Sequence, residues 1–127
     1  MAFKDMKIWE LSMTLVEDIY RKTRNFPQHE LYGLSSQMRR AAISIPSNIA
    51  EGNGRAHSKE YIQFLYLARG SLMELMTQLE IAHRLNYISI EEKTEIYDQC
   101  EIILKMLHKL ITSIKKKSEN KNHESRG

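Results

Sequence analysis

Four basic side chains in the first half of the sequence have types and a spacing suited to binding phosphate. Arg39 and Arg40 are adjacent, and Arg55 and Lys59 flank a predicted turn into a helix. Arginine suits phosphate because its planar guanidinium donates two parallel hydrogen bonds to one oxyanion. We therefore predict that these four side chains, with backbone amides at a helix start near Ser58, form a nucleic-acid-binding surface.

The same arginines also fit a purely structural role. They would then be ordinary surface residues, or would pair with Glu51 or Glu74, including across a subunit interface. Successive residues of a helix point about 100° apart, so Arg39 and Arg40 cannot both face the core.

The stretch from Lys105 to Lys117 holds five lysines and no acidic residue. That run suits either complementation of a helix dipole or a further nucleic-acid contact.

Other reactive residue types do not form a recognisable catalytic or metal site. Glu80 and His83 have the spacing by which di-iron bundles place a carboxylate and an imidazole on one helix face, but such a centre needs a second pair and further carboxylates. The one cysteine, Cys100, falls on an apolar helix position, so we expect a buried and unreactive thiol. We predict that the protein is not an enzyme and has no cofactor and no bound metal.

Helical periodicity supplies the elements that would position these side chains. From Tyr61 to Ala82, apolar residues recur in alternating steps of four and three residues, which is typical of a helix packed along its length. Similar patterns predict helices near 6–24, 34–53, 58–86 and 89–116. Long helices with short links predict an all-α fold, an antiparallel up-down four-helix bundle over 1–117. Residues 118–127 contain no apolar side chain, so we predict a disordered polar tail.

Several residues give these helices local features. Ser58 is the expected N-cap of the third helix, and Ser89 with Glu92 forms a capping box at the fourth. Pro46 lies inside the second helix, where we expect a kink because the apolar pattern continues in phase across it. Gly70 lies inside the third helix, and we predict that the two helices approach each other closely at these two positions.

Apolar residues outside the core pattern predict self-association. The first helix has two apolar stripes, and the third carries apolar side chains beyond those that one stripe needs. A second buried surface explains such a surplus. We expect Trp9, Phe64 and Met73 to lie in an oligomer interface.

Charge and hydrophobicity limit the environment of the protein. The net charge of +3 permits a nucleic-acid partner without requiring one. The longest apolar run, Phe64 to Ala68, has five residues, which is too short to cross a membrane. The start of the sequence has no apolar signal segment, so we predict a cytoplasmic protein with no membrane contact.

The run from Gln37 to Gly52, QMRRAAISIPSNIAEG, resembles the signature of the bacterial 23S rRNA intervening-sequence proteins, also called S23 ribosomal proteins. Three further segments match that family: Asp5 to Trp9, Phe26 to Leu34, and Ala68 to Leu75. The resemblance covers about Phe3 to Leu110, nearly the whole chain apart from its polar end.

The resemblance implies an up-down four-helix bundle that assembles as a homopentamer. A related branch contains the accessory variability proteins of diversity-generating retroelements, which bind nucleic acid and the reverse transcriptase of the element. By this analogy, the partners would be further copies of the chain, RNA or DNA, and a reverse transcriptase. The accessory proteins are strongly basic, whereas this chain carries only +3.

Two functions remain open at this point. The first is a non-catalytic homo-oligomer, a pentamer by the resemblance, that binds RNA or DNA through basic residues. The second is an oligomeric scaffold that holds a protein partner without touching nucleic acid. Phosphate contacts make binding strongly dependent on salt, so a salt titration separates the two.

Overall fold

The computed structural model describes residues 2–126, with side chains described as far as Lys121. Its four α-helices are α1 (Lys7–Thr23), α2 (Leu34–Asn53), α3 (Ser58–Arg84) and α4 (Ile90–Arg126), with short 3-10 turns at Phe3–Asp5 and Gln28–Glu30. No strand occurs in the described residues. Each helix packs against the next, and α1 also packs against α4. The predicted all-α four-helix bundle is confirmed.

The helix boundaries match the prediction closely except at the end of the chain. The bounds of α2 are as predicted, and α1 and α3 differ from their predictions by one or two residues. In contrast, α4 continues to Arg126, past the predicted end at 116 and through most of the stretch predicted to be disordered. Once a helix has formed, each further residue adds one backbone hydrogen bond. Lysine and glutamate also have high helix propensity. The helix therefore continues beyond the last residue of its apolar pattern. Gly127 lies outside the described residues.

The core is one column of aliphatic side chains to which every helix contributes. Leu15, Ile45, Leu72 and Leu107, one from each helix, are all 0% exposed. Burial of a side chain of this size contributes about 1.5–3 kcal/mol. Cys100 belongs to the same column, and its burial raises the pKa of the thiol to about 12. The expectation of a buried thiol is therefore confirmed.

Pro46 and Gly70 do not meet, contrary to the prediction. Pro46 lies within α2, but it lines a groove toward α1 with Trp9 and Val16. A side chain added at Gly70 would have no atom within 4 Å of its Cβ. The reason is geometric: core residues occupy one side of α3, and Gly70 falls on the opposite, outer side. The expected continuity of α3 through Gly70 is confirmed.

The close approach of α2 and α3 occurs instead at Gly52. A Cβ there would stand 2.9 Å from the Cβ of Phe64 and 3.1 Å from the carbonyl oxygen of Tyr61. Only glycine allows the last turn of α2 to pack this closely on the first turns of α3. The tight contact sets the position of the turn that carries Arg55 and Lys59.

The two predicted helix starts differ in outcome. At α4 the capping box is confirmed: the backbone N–H of Glu92 donates to Ser89 Oγ at 3.1 Å, and that of Ser89 donates to Glu92 Oε1 at 3.0 Å. At α3 the prediction of Ser58 as N-cap is wrong. His57 has the extended backbone of an N-cap residue, so the helix begins at Ser58 without a side-chain cap.

The length and the apolar content of the helices bear on whether one of them could cross a membrane. Across the described part of the chain, no helix combines the length and the apolar character needed to span a bilayer.

Candidate nucleic-acid interface

The antiparallel packing creates two bundle ends with different charge. At one end, α1 and α3 begin while α2 and α4 finish, so the first turns of α3 meet the last apolar turns of α4. There the Tyr61 hydroxyl lies 4.0 Å from Met6 Sδ, and Lys115 Nζ donates to the Tyr66 hydroxyl at 2.8 Å. We define the basic end by its main cations, which are Arg55, Lys59, Arg69, Lys109, Lys115, Lys116 and Lys117.

The lysines of α4 form the largest part of the basic end. Lys109, Lys116 and Lys117 line one shallow concave surface together with His108 and Thr112. All three lysines are exposed. Within the described side chains, none of the three lies in an ion pair. A row of unpaired ammonium groups on one helix face favours an extended anionic partner.

Tyr66 connects α4 to α3 at the same end. The guanidinium of Arg69 lies 4.6 Å from the centre of the Tyr66 ring, and Lys115 Nζ lies 5.5 Å from it. The hydrogen bond from Lys115 lowers the pKa of the Tyr66 hydroxyl. Sequence reasoning missed Tyr66 and Arg69, although their spacing of three residues on a helix was a signal that they share a face.

Arg55 and Lys59 flank the turn from α2 into α3, at the basic end. Arg55 Nη2 forms an ion pair with Glu51 Oε1 at 2.5 Å, and its guanidinium lies 4.7 Å from the centre of the Phe64 ring. The pairing with Glu51, weighed as an alternative, is thus present within one chain. Lys59 is exposed and, among the described residues, has no ion-pair partner. Lys59 is therefore the more accessible of these two cations.

Arg39 and Arg40 lie elsewhere in the molecule. Arg39 faces α1, where its Nε donates to Thr23 Oγ1 at 2.9 Å and its guanidinium lies 4.8 Å from the centre of the Tyr20 ring. Arg40 lines a polar groove between α2 and α3 that Glu74 also lines. Arg40 and Arg55 are separated by roughly 20 Å along the axis of α2. The four predicted cations therefore do not form one surface within a single chain, because adjacent helix residues diverge in direction.

The opposite end of the bundle carries most of the ion pairs. Lys22 lies 3.1 Å from Glu92, Arg84 lies 3.0 Å from Glu80, and Lys93 also pairs with Glu80. The hydrogen bond from Lys93 is the main cause of the lowered pKa of Glu80. We call this region the paired end and include in it the bridge from Arg21 to Asp18.

The Glu80 and His83 pair has no metal-site geometry in the described residues. Glu80 is occupied by its two cationic partners. No group of three or more histidine, cysteine or acidic side chains in the described part of the chain is placed to hold a metal ion. The arrangement suits a solvated helix face.

The three side chains predicted for an oligomer interface lie on different sides of the bundle. Trp9 is half-buried, its ring packs edge-to-face on Phe3 at 5.4 Å, and it lines the groove between α1 and α2. Phe64 is half-buried under Arg55. Met73 is 42% exposed on α3. A single flat interface cannot cover all three.

The fold and its surface define a class: a small all-α four-helix bundle with a basic end and no recognisable catalytic centre among the described residues. A family model described as 23S rRNA-intervening sequence protein matches residues 4–109, and the chain belongs to this family. None of the curated proteins matches the chain. The unpaired lysines Lys116 and Lys117 lie beyond the matched residues.

A solved structure supports the same assignment. It is the crystal structure, at 1.70 Å resolution, of a protein with unknown function from the S23 ribosomal protein family of Bacteroides thetaiotaomicron VPI-5482. The two chains superpose with a TM-score of 0.74 and share 25% sequence identity. The similarity covers 82% of this chain and 97% of the other.

Proposed function

We propose that the protein is a non-catalytic homo-oligomer whose basic end binds the phosphate groups of RNA or DNA. The observation that carries the proposal is the unpaired row of Lys109, Lys116 and Lys117 on the exposed face of α4. Lysines with nearby carboxylates would gain little from a phosphate, whereas these have no such partner among the described residues.

The separation of charge makes a low net charge compatible with phosphate binding. The chain carries only +3 overall, but most of its ion-paired acids lie at the paired end. A phosphate backbone at the basic end would meet the lysines of α4, Arg69 and Lys59, with the exposed Glu60 and Glu119 as the nearest opposing charges in the sequence. Contacts of this kind bind the backbone and do not read bases, so we expect weak sequence preference.

Self-association would multiply this charge. The outer side of α3 exposes Leu67, Met73 and Ile81, and Gly70 lies among them with open space beside it. The strip also contains the exposed Glu74, one turn after Gly70. A glycine beside exposed apolar side chains allows close approach of another helix. A pentamer, which the family resemblance suggests, would carry five copies of the basic end.

The mass in solution tests the oligomer. Light scattering at micromolar concentration should return a multiple of 14.9 kDa, and five times that value would support the pentamer. Leu67→Glu with Ile81→Glu should reduce the mass, because both side chains are already exposed in one subunit. A parent mass equal to one chain would contradict self-association.

Nucleic-acid binding is tested by removing charge at one end at a time. Changing Lys109, Lys116 and Lys117 to Ala should weaken binding to a duplex by at least tenfold. The matched control changes Arg21, Lys22 and Arg84 to Ala, which removes three positive charges at the paired end. Equal weakening by both triple variants would show a response to net charge alone and would contradict a specific basic end.

A second function is favoured by one observation. The groove between α1 and α2 is lined mainly by apolar side chains, among them Trp9, Met13, Val16 and the exposed Ile43. A helix of a partner protein, such as the reverse transcriptase that the family analogy suggests, would cover these side chains. If the parent shows no salt-dependent binding to any nucleic acid, this scaffold function becomes the better explanation.

A further inference from the structure

A second cleft, at the paired end, has the features of a small-molecule site. It lies between the end of α1, the link that follows, and the first two turns of α2. Its volume is about 410 Å³, which falls within the range of small-ligand pockets. Arg24, Arg39 and the buried Thr23 are among the residues that line it.

The two arginines of the cleft have no opposing charge. Arg39 uses only its Nε to bond Thr23, and its other N–H donors have no hydrogen bond to the described residues. Neither Arg24 nor Arg39 has an ion-pair partner in the described part of the chain, and no acidic residue lines the cleft. Nearby Arg21 and Lys22, by contrast, both have carboxylate partners.

A buried hydroxyl lies in the same cleft without a partner. Ser35 is 2% exposed, lines the cleft, and its Oγ makes no hydrogen bond to any described residue. Buried polar groups in native proteins nearly always have a hydrogen-bond partner. A group that loses its hydrogen bonds to water and gains none within the protein destabilises the fold. An oxyanion held by the arginines would accept the hydrogen of Ser35.

Apart from Gln28, the remaining residues that line the cleft are apolar. Phe26 is 7% exposed and packs against Tyr87 with ring centres 5.3 Å apart, while Leu31 is 43% exposed. Pro27 completes this side. A bare inorganic anion would not use these surfaces, whereas an anion carried on a ring or an aliphatic group would cover them.

We propose that this cleft binds a small organic oxyanion, a carboxylate or phosphate monoester joined to an apolar group. The guanidinium of Arg39 is already oriented by Thr23 and Tyr20, so its outer N–H groups are ready to form a bidentate contact. The Arg24 side chain would cover the ligand on the solvent side. The Ser35 hydroxyl would donate a hydrogen bond to the oxyanion from the buried side of the cleft. The site lies at the opposite end from the proposed nucleic-acid surface and is independent of it.

Calorimetric titration with phenyl phosphate, benzoate, inorganic phosphate and phenol tests the proposal. We expect saturable binding of phenyl phosphate or benzoate, with the stronger of the two identifying the anion. Inorganic phosphate should bind at least tenfold more weakly, and phenol should not bind measurably. No saturable binding of either aromatic anion at millimolar concentration would overturn the proposal.

Variants locate the binding. Arg24→Ala and Arg39→Lys should each weaken the preferred probe by about tenfold, since a bidentate charged contact is lost. Ser35→Ala should weaken it severalfold while leaving the free protein at least as stable as the parent. Arg21→Ala, on the neighbouring turn but outside the cleft, is the matched control and should bind like the parent.

The Arg24→Ala variant tests the proposal even if the other variants fail to fold. Its side chain is exposed and makes no hydrogen bond to the described residues, so its removal should not affect folding. Equal affinities for Arg24→Ala and Arg21→Ala would show that the probe binds elsewhere and would overturn the proposal. Loss of duplex binding in the same Arg24 variant would also overturn the independence of the two sites.

Discussion

The two ends of this bundle use charge in opposite ways. Among the described residues, four of the five ion pairs lie at the paired end, and the fifth joins Arg55 to Glu51 at the basic end. Two of these four pairs join helices, as between Lys22 of α1 and Glu92 of α4, and two lie within one helix. At the basic end, Lys109, Lys116 and Lys117 have no carboxylate partner in the part of the chain whose side chains are described. The difference shows that a net charge of +3 says little about what a particular surface can bind.

The largest effect on stability should come from the glycine that sets the basic end. Gly52→Ala places a Cβ 2.9 Å from the Cβ of Phe64 and should lower the free energy of unfolding by about 1–3 kcal/mol through overpacking. Gly70→Ala is the matched control, and it should raise stability by up to about 1 kcal/mol because alanine favours helix and the position is open. Chemical denaturation measures both. The reverse ranking of the two variants would contradict the packing of α2 on α3.

A smaller effect is expected from the capping box at the paired end. Ser89→Ala removes the acceptor for the backbone N–H of Glu92 and should cost about 1 kcal/mol. His57→Ala, at the start of α3, is the control, because His57 makes no side-chain cap there. Thermal unfolding of the two variants should therefore differ. Equal losses would indicate that the two helix starts are held in the same way.

The smallest effect is a pH dependence confined to the paired end. The Tyr87 hydroxyl lowers the pKa of Glu30, Lys93 lowers that of Glu80, and the backbone N–H of Ser89 lowers that of Glu92. A carboxylate with a lowered pKa stabilises the folded state fully above its ordinary pKa, near 4.5, and this stabilisation is lost as the pH falls through the lowered value. These groups are exposed, so the loss should be small.

Amide hydrogen exchange across this acidic range locates the effect. Protection of the first turns of α4 should fall as the pH drops, after correction for intrinsic exchange rates. Protection around Lys109 should not change, since Lys109 has no carboxylate partner among the described residues. Uniform loss along α4 would show that the paired end is not held by its carboxylates.

The sequence was sufficient to predict the helices and the core but not the orientation of individual residues. Periodic apolar spacing identifies the inner side of a helix, which is why Leu72 and Cys100 lie in the core as expected. The same spacing does not say which neighbouring helix a residue meets. For that reason Pro46 was predicted to face α3, although it lines the groove toward α1.

The candidate sites were less predictable because they depend on contacts between distant segments. The pairing of Arg55 with Glu51 follows from their spacing of four residues, which keeps the two side chains close just past the end of α2. The contact of Lys115 with Tyr66 joins α4 to α3 and has no local signal. The lack of apolar residues at the polar end of α4 predicts disorder, whereas the helix propensity of its lysines and glutamates favours the helix that the structure shows there.

The most direct test of the proposed function is an NMR titration of the isotope-labelled protein with a short duplex at low salt. We predict amide shift changes around Tyr66 and Arg69 and along α4 from Lys109 to Lys117, which disappear as salt is raised. The paired end, including the segment around Glu92, should be unaffected. Shift changes concentrated at the paired end, or none at either end, would contradict the account.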